Sequence, residues 1–297
     1  MTGELFALAS AACFAAANVT IVRGAAPGDA DNGAFASLLL TSAIAGAGWL
    51  AFGLARGFPD VTPRALAWFA GAGVLTAFIG RVFGYATVQH LGAMRASAMK
   101  RLNPFFAVAL GVGVLGERLG AGAIVGMLLI LTSFAVLVLR GGGRRDAGPV
   151  AAFLNPGFVY GPVSALGYAT GYLLRKMGLG ETPDAFLGTL VGALVGASTF
   201  VLAGLFRPRY AAAVRATFSR PRPWLLAAGV LSSFGQIAYF FALTHAPISR
   251  VALIASIEVF ITMFLSVLLL RASESLTVPV LAAAMLGVAG TAMVMLY

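Results

Sequence analysis

Ten runs of about 20 apolar residues follow one another along the chain, and this succession limits the fold more than any other feature. A bilayer core is about 30 Å thick and a helix rises about 1.5 Å per residue, so each run has the length of one transmembrane helix. We place the runs at residues 4–22, 34–55, 66–88, 93–115, 120–139, 157–176, 185–206, 223–243, 248–270 and 277–297. The sequence therefore predicts an all-α membrane protein with ten transmembrane helices.

The composition excludes a water-soluble fold, because 60% of the 297 residues are hydrophobic and only 10% are charged. The formal net charge is +10, but most cations lie between the apolar runs, where lipid headgroups sit, and this argues against a nucleic-acid partner. Cys13 is the only cysteine, and no metal-binding or hydrolytic motif accompanies the two histidines. We therefore expect no cofactor, no metal site and no enzyme activity.

Internal similarity divides the chain into two halves. A shift of 156 residues superposes Trp68 on Trp224 and Gly73 on Gly229, so the third and eighth apolar runs are counterparts. Chance similarity between apolar stretches is the competing explanation. The tryptophan match and the shared order of the helices argue against it.

The two halves are predicted to be inverted repeats. They span residues 1–140 and 157–297, and a glycine-rich linker at 141–156 joins them. Each contains five helices, an odd number, so the second half enters the membrane with the opposite orientation. Such an architecture surrounds one central site that opens alternately to each side. The arginines of the loops favour termini outside the cell by the positive-inside rule.

Ionisable residues inside the apolar runs are the first candidates for a substrate site, because each costs at least about 2.5 kcal/mol at the bilayer centre. Arg81, Lys100 and Glu258 lie in the third, fourth and ninth predicted helices. A shift of 155 residues places Glu258 on Asn103, so both halves present polar groups at the same depth. Neutralisation of Glu258 by Lys100 is the structural alternative.

Polar and aromatic residues recur at helical spacing on one face of several helices, and a lipid-facing stripe would be aliphatic instead. Hydrogen bonding between helices is an equally weighted alternative for each of them. The residues of this kind that we predict to face the cavity are Asn18, Tyr85, Tyr168, Tyr172, Gln236 and Tyr239. Arg175 continues the inward-facing stripe of the sixth helix, but it falls with Lys176 at the end of the apolar run, where we count both among the loop cations.

Pro104 lies within the fourth apolar run, where it removes one backbone hydrogen bond. The freed carbonyl can bind a substrate or let the helix bend. We therefore predict a hinge at Pro104, although membrane helices also tolerate such kinks for packing alone.

The segment LGAMRASAMKRLNPFFAVALGVGVLGERLGAGAIVGMLLIL resembles part of the EamA-type repeats of the drug/metabolite transporter superfamily. The segment SRVALIASIEVFITMFLSVLLLRASESLTVPVLAAAMLGVAG resembles its second-half sister. Asn103 with Pro104 matches the first-half polar-proline position, Glu258 matches the second-half glutamate, and Glu117 matches the Gly-Glu-Arg loop. Val259 stands where the family usually has proline, which argues against a kink in the ninth helix.

The resemblance implies ten helices in an inverted repeat, with a central cavity lined chiefly by helices 1, 3, 4, 6, 8 and 9. It also implies export of amino acids or other metabolites and both termini in the cytoplasm, against the arginine distribution. The orientation therefore stays open.

These observations favour a small-metabolite transporter of a bacterial inner membrane, working on amino acids. Lys100 or Arg81 would meet a carboxylate, Glu258 an ammonium group, and the tyrosines an apolar side chain. A carrier of anionic sugars or organic phosphates is the alternative, and an integral membrane enzyme acting on lipids is a weaker one, since no cluster of acids or histidines supports it. The partners are the substrate and the bilayer; the sequence is compatible with a monomer and leaves the oligomeric state open.

Overall fold

The computed structural model describes residues 2–24, 33–80, 83, 102–140, 157–270 and 278–296, and no strand occurs within these ranges. The α-helices are α1 (Thr2–Gly24), α2 (Ala34–Arg56), α3 (Pro63–Val74), α4 (Asn103–Leu115), α5 (Ala121–Arg140), α6 (Gly157–Glu181), α7 (Ala185–Phe206), α8 (Pro208–Ser219), α9 (Pro223–His245), α10 (Ile248–Ala255), α11 (Glu258–Leu270) and α12 (Val278–Leu296). A π-helical turn at Leu75–Gly80 continues α3.

Five of the described segments are long and apolar enough to cross a bilayer. They are Thr2–Ile21, Ala34–Arg56, Ala185–Phe206, Pro223–His245 and Ile248–Leu265. Shorter apolar helices are Asn103–Leu115, Ala121–Ser133 and Ala282–Leu296. Large apolar side chains cover their outer surfaces, with Leu54 79% and Phe206 82% exposed. Exposed apolar area of this extent is typical of lipid-facing surface.

The predicted helix starts at residues 34, 185 and 223 coincide with those of α2, α7 and α9. One other boundary prediction is wrong. The sequence predicts that the sixth helix ends at residue 176, whereas α6 continues to Glu181. The predicted connection at 206–223 does separate two spans, but it contains the helix α8, which the apolar pattern does not indicate. Pro208 in its first turn and a run of alanines favour a helix there without an apolar run.

A turn at Ser256 and Ile257 divides the ninth apolar run into α10 and α11. The Ser256 hydroxyl donates to the carbonyl of Leu253 at 2.6 Å. The Ile257 amide donates to the carbonyl of Ile254, three residues back, at 3.2 Å. These bonds tighten the chain into a 3₁₀-like turn. The helical hydrogen bonding is thus interrupted one turn before Val259 without a proline, and a bend of the ninth helix stays untested.

The first half has a turn at the equivalent position. Leu102 lies in a turn and α4 begins at Asn103, just as Ile257 lies in a turn and α11 begins at Glu258. Pro104 occupies the first turn of α4. A backbone N–H at that position would have no partner within the helix, so proline costs no hydrogen bond there. Residues 84–101 lie outside the described ranges, so the hinge at Pro104 stays a prediction.

The last helices of the two halves, α5 and α12, cross in antiparallel directions through small residues. A Cβ on Gly126 would lie 2.6 Å from the carbonyl oxygen of Gly290. Ser133 donates to the carbonyl of Ala283 at 2.5 Å. Because lipid offers no hydrophobic force between helices, such close backbone approach is what joins them.

The helices α2 and α7 are a second antiparallel pair of counterparts. The Phe35 and Phe200 rings lie 5.8 Å apart, and the Phe52 and Phe186 rings lie 5.3 Å apart. Elsewhere α1 packs along α9, and α3 packs along α6. When one half is superposed on the other, α1 takes the place of α6 and α3 takes the place of α9. The α1–α9 and α3–α6 contacts are therefore equivalent.

The loop after α4 contacts the second half through Glu117. Its carboxylate accepts the backbone N–H groups of Ile248 and Ser249 at 2.7 and 3.0 Å, and the Ser249 hydroxyl at 2.6 Å. The Glu117 N–H in turn donates to the carbonyl of Gly111 at 3.0 Å. Since the first N–H groups of a helix have no partner within it, a carboxylate of one half caps α10 of the other.

We expect Gly290→Ala to destabilise the fold by about 1–3 kcal/mol, because overpacking against backbone cannot be relieved by a side-chain rotation. The new Cβ would meet the Gly126 carbonyl oxygen at 2.7 Å. Gly113→Ala is the matched control, since nothing lies within 4 Å of a Cβ there. Thermal unfolding in detergent should give a lower midpoint for the first variant only. An unchanged midpoint for Gly290→Ala would contradict the close crossing of α5 and α12.

We expect Glu117→Ala to lower the free energy of unfolding by about 2 kcal/mol, because three hydrogen bonds to a charged acceptor are lost. Glu181→Ala is the control: Glu181 pairs with Arg64 at 3.2 Å at an exposed position. Its removal should cost less than about 1 kcal/mol. Reversible denaturant titration measures both values. Equal losses in the two variants would argue against the cap.

Candidate functional site

Arg175 lies at the centre of polar and aromatic side chains from α3, α6 and α9. It is only 6% exposed and donates to the Thr76 hydroxyl at 3.3 Å. With its amide oxygen directed at Arg175, Gln236 accepts from both terminal guanidinium nitrogens at 2.5 Å. The guanidinium also lies over the rings of Tyr172 and Phe240, at 5.2 and 4.8 Å from their centroids. Neutral groups thus surround a buried positive charge.

The sequence predicts Tyr172 and Gln236 for the site but counts Arg175 among the loop cations, and that assignment is wrong. Because α6 reaches Glu181, Arg175 lies inside the helix rather than at its end. Its spacing from Tyr168 and Tyr172 placed it on the same helix face, and this was the signal for an inward orientation.

Lys176, also counted among the loop cations, lies inside α6 as well. Its Nζ donates to the carbonyls of Leu243 and Ala246 at 2.5 and 2.9 Å. Carbonyls at a helix C-terminus lack intrahelical partners and carry partial negative charge. Lys176 therefore caps α9, and it fixes the face that α6 turns toward that helix.

Three tyrosines form a row beside Arg175. The Tyr168 and Tyr172 rings lie 6.4 Å apart, and the Tyr172 and Tyr239 rings lie 4.6 Å apart. Tyr239 is 3% exposed, and its buried hydroxyl has no hydrogen-bond partner among the described residues. The structure therefore brings together the predicted stripes of the sixth and eighth helices.

A second polar group connects α1 with α11. The Asn18 amide donates to Glu258 Oε1 at 2.8 Å and lies 3.4 Å from the Thr262 hydroxyl. Glu258 is in the first turn of α11, where the helix dipole favours a carboxylate. Asn18 and Glu258 belong to different halves of the sequence, so this contact lies where the halves meet.

Tyr172 lies between the two polar groups in the site. The Arg175 guanidinium is 5.2 Å from the centroid of its ring, and Glu258 is within electrostatic range of it. The Asn103 amide oxygen is buried and has no partner within the described ranges. The site thus combines a buried cation, a carboxylate and an acceptor without a partner among the described residues.

Three predicted site residues, Arg81, Tyr85 and Lys100, lie outside the described residues. Their roles stay predictions. Among the residues that the structure describes, no group of three or more His, Cys, Asp or Glu side chains could hold a metal ion. The arrangement of donors, rings and two opposite charges suits the binding of a small polar molecule.

Comparison with known proteins adds two findings. The model of a family described as "EamA-like transporter family" matches residues 1–139 and again residues 155–296. One solved structure, "Crystal structure of protein", has a TM-score of 0.71 at 20% sequence identity, covering 99% of this chain and 98% of the other. At this identity the likeness shows a shared fold. No curated protein matches the sequence.

We expect Tyr239→Phe to leave the stability of the ligand-free protein unchanged or to raise it, because the removed hydroxyl is buried without a partner among the described residues. Ser133→Ala is the control, since its hydroxyl donates to Ala283, and its loss should cost about 1 kcal/mol. Thermal unfolding compares the two variants. A lower midpoint for Tyr239→Phe than for Ser133→Ala would mean that the Tyr239 hydroxyl does have a partner.

Proposed function

The chain belongs to the EamA-like transporter family, and from this premise we propose that it exports amino acids across a bacterial inner membrane by alternating access. Membership makes the protein a multi-pass membrane transporter of small molecules and not an enzyme. The observation that carries the finer proposal is a site with both charges, in which the Arg175 guanidinium lies over the Tyr172 ring and Glu258 accepts from Asn18 of the other half.

Alternating access requires two units of opposite orientation around one site. We take these units to be residues 1–140 and 157–297, each with five spans, joined by 141–156. The antiparallel contacts of α5 with α12 and of α2 with α7 support this division. Counterpart helices can run in opposite directions only if the units that contain them are inverted.

The location of the polar residues supports a shared site between the units. Asn18 of the first unit contacts Glu258 of the second, and Thr76 of the first contacts Arg175 of the second. Rocking of one unit against the other would separate or tighten these contacts on one side at a time. A substrate held among them would then be exposed to each side in turn.

An amino acid matches the charges of this site. Arg175 can meet its carboxylate, Glu258 can meet its ammonium group, and the row of tyrosines can surround an apolar side chain. Lys100 and Arg81 keep their predicted roles as further cations. All of these residues belong to one chain, so the proposal is compatible with a monomer, and it involves neither a cofactor nor a metal.

A carrier of anionic sugars or organic phosphates is the second candidate. The buried guanidinium of Arg175 favours it, because arginine binds phosphate as well as carboxylate. Glu258 opposes it, since a carboxylate repels a doubly charged phosphate. Competition between labelled amino acids and glycerol 3-phosphate for export decides between the two.

We expect export to depend on Glu258 and Lys100. Purified protein in vesicles loaded with labelled amino acids should release them, with and without a pH gradient. Glu258→Gln and Lys100→Ala should each lower the initial rate by about tenfold or more, because each removes a charge that binds a charged substrate group.

Glu181→Gln is the matched control, because it makes the same change at the exposed end of α6. Its rate should equal that of the wild type. Unchanged export in both site variants would remove Lys100 and Glu258 from the mechanism. Absence of release for every amino acid, together with release of glycerol 3-phosphate, would favour the second candidate.

A further inference from the structure

Among the described residues, no carboxylate contacts the buried guanidinium of Arg175. In the part of the chain that the structure describes, its hydrogen-bond partners are Thr76 and Gln236, and its other close neighbours are aromatic rings. A buried arginine normally pairs with a carboxylate or binds an anion, since neutral groups do not replace the hydration it has lost. An anion from solution would complete this site.

Tyr239 adds a second unsatisfied group at the same place. It is 3% exposed and its hydroxyl has no partner among the described residues. It interacts electrostatically with Arg175, and its ring lies 4.6 Å from that of Tyr172. The Arg175 guanidinium and the Tyr239 ring both pack against Tyr172. Both groups are donors, and the acceptor that suits both is a negatively charged oxygen.

We propose that Arg175 and the Tyr239 hydroxyl form an oxyanion-binding subsite that holds the carboxylate of the transported molecule. The inference rests on the proposed function and deepens it, because it adds Arg175 to Lys100 and Arg81 as a group that recognises the acidic end of the substrate. The rings of Tyr172 and Phe240 exclude water around the bound group, which strengthens its hydrogen bonds.

The opposite end of the ligand meets acceptors instead of donors. The Asn103 amide oxygen has no partner within the described ranges. Glu258 holds the counterpart position in the second half, at the start of α11. Both accept hydrogen bonds from an ammonium group. The substrate class that fits is therefore a free amino acid, and its amide, which lacks the carboxylate, does not fit.

Gln236→Glu tests this subsite without removing Arg175. The amide oxygen of Gln236 already faces both guanidinium nitrogens, so a carboxylate there forms an internal bidentate pair that competes with an external oxyanion. Gln236→Leu is the matched control, because it removes the same amide without adding charge. Arg175→Gln is the direct variant.

The measurement is equilibrium binding to the purified full chain by titration calorimetry. The probes are alanine, leucine and phenylalanine, the amide of each, and glycerol 3-phosphate. Wild type should bind the acids at least about tenfold more tightly than the amides, and Gln236→Glu should lower affinity for the acids at least about tenfold. Gln236→Leu should lower that affinity less than Gln236→Glu does, because it removes the amide without supplying a competing carboxylate, and the unfolding midpoint of Gln236→Glu should not fall.

Equal binding of acids and amides, or unchanged acid affinity in Gln236→Glu, would overturn the proposal. Failure of the wild type to bind any oxyanion probe would do the same. Binding of glycerol 3-phosphate that Gln236→Glu abolishes would support the subsite but assign it to organic phosphates.

Vesicle export separates failure of the subsite from failure of the proposed function. Export of amino acids and their amides at equal rates would keep the exporter and reject the role of Arg175. Acid binding that depends on Arg175, without any export of amino acids, would keep the subsite and reject the exporter.

Discussion

A polar group inside a bilayer must find its partner within the protein, and the contacts between the helices follow from this constraint. The Glu117 carboxylate caps α10, the Lys176 ammonium caps α9, and the Asn18 amide meets Glu258. Lipid chains can replace an apolar contact between helices, but they cannot replace these hydrogen bonds. Together with the close approach of Gly126 and Gly290, they specify which helix faces which.

The spans could be predicted from the sequence because the bilayer fixes their length and polarity locally. That is why the predicted starts of α2, α7 and α9 agree with the structure. The last turns of α6 could not be predicted in the same way, since hydropathy indicates contact with lipid rather than helix. Lys176 is polar in sequence, but it faces the carbonyls of α9 instead of water. The helix α8 was missed for a related reason, because it has no apolar run.

Depth in the membrane identified Glu258 and Asn18, since a charge or amide near the middle of a run stands out against apolar neighbours. Arg175 was misplaced because a cation near the end of a run has the same sequence signature whether it extends to the headgroups or turns inward. The contact of Arg175 with Gln236 on α9 shows that its side chain turns inward and does not extend to the headgroups. The interruption at Ser256 was missed because a serine hydroxyl, unlike proline, gives no unambiguous signal of a break.

The contact of Glu117 with α10 has a mechanical consequence. Since α1 packs along α9 and α3 along α6, each duplicated unit has its nearest neighbours in the other, and α10 is anchored by a residue that its own unit does not supply. Movement of one unit against the other in the proposed transport cycle would therefore load this cap directly. The second unit alone would leave the N–H groups at the start of α10 without the acceptor that Glu117 supplies.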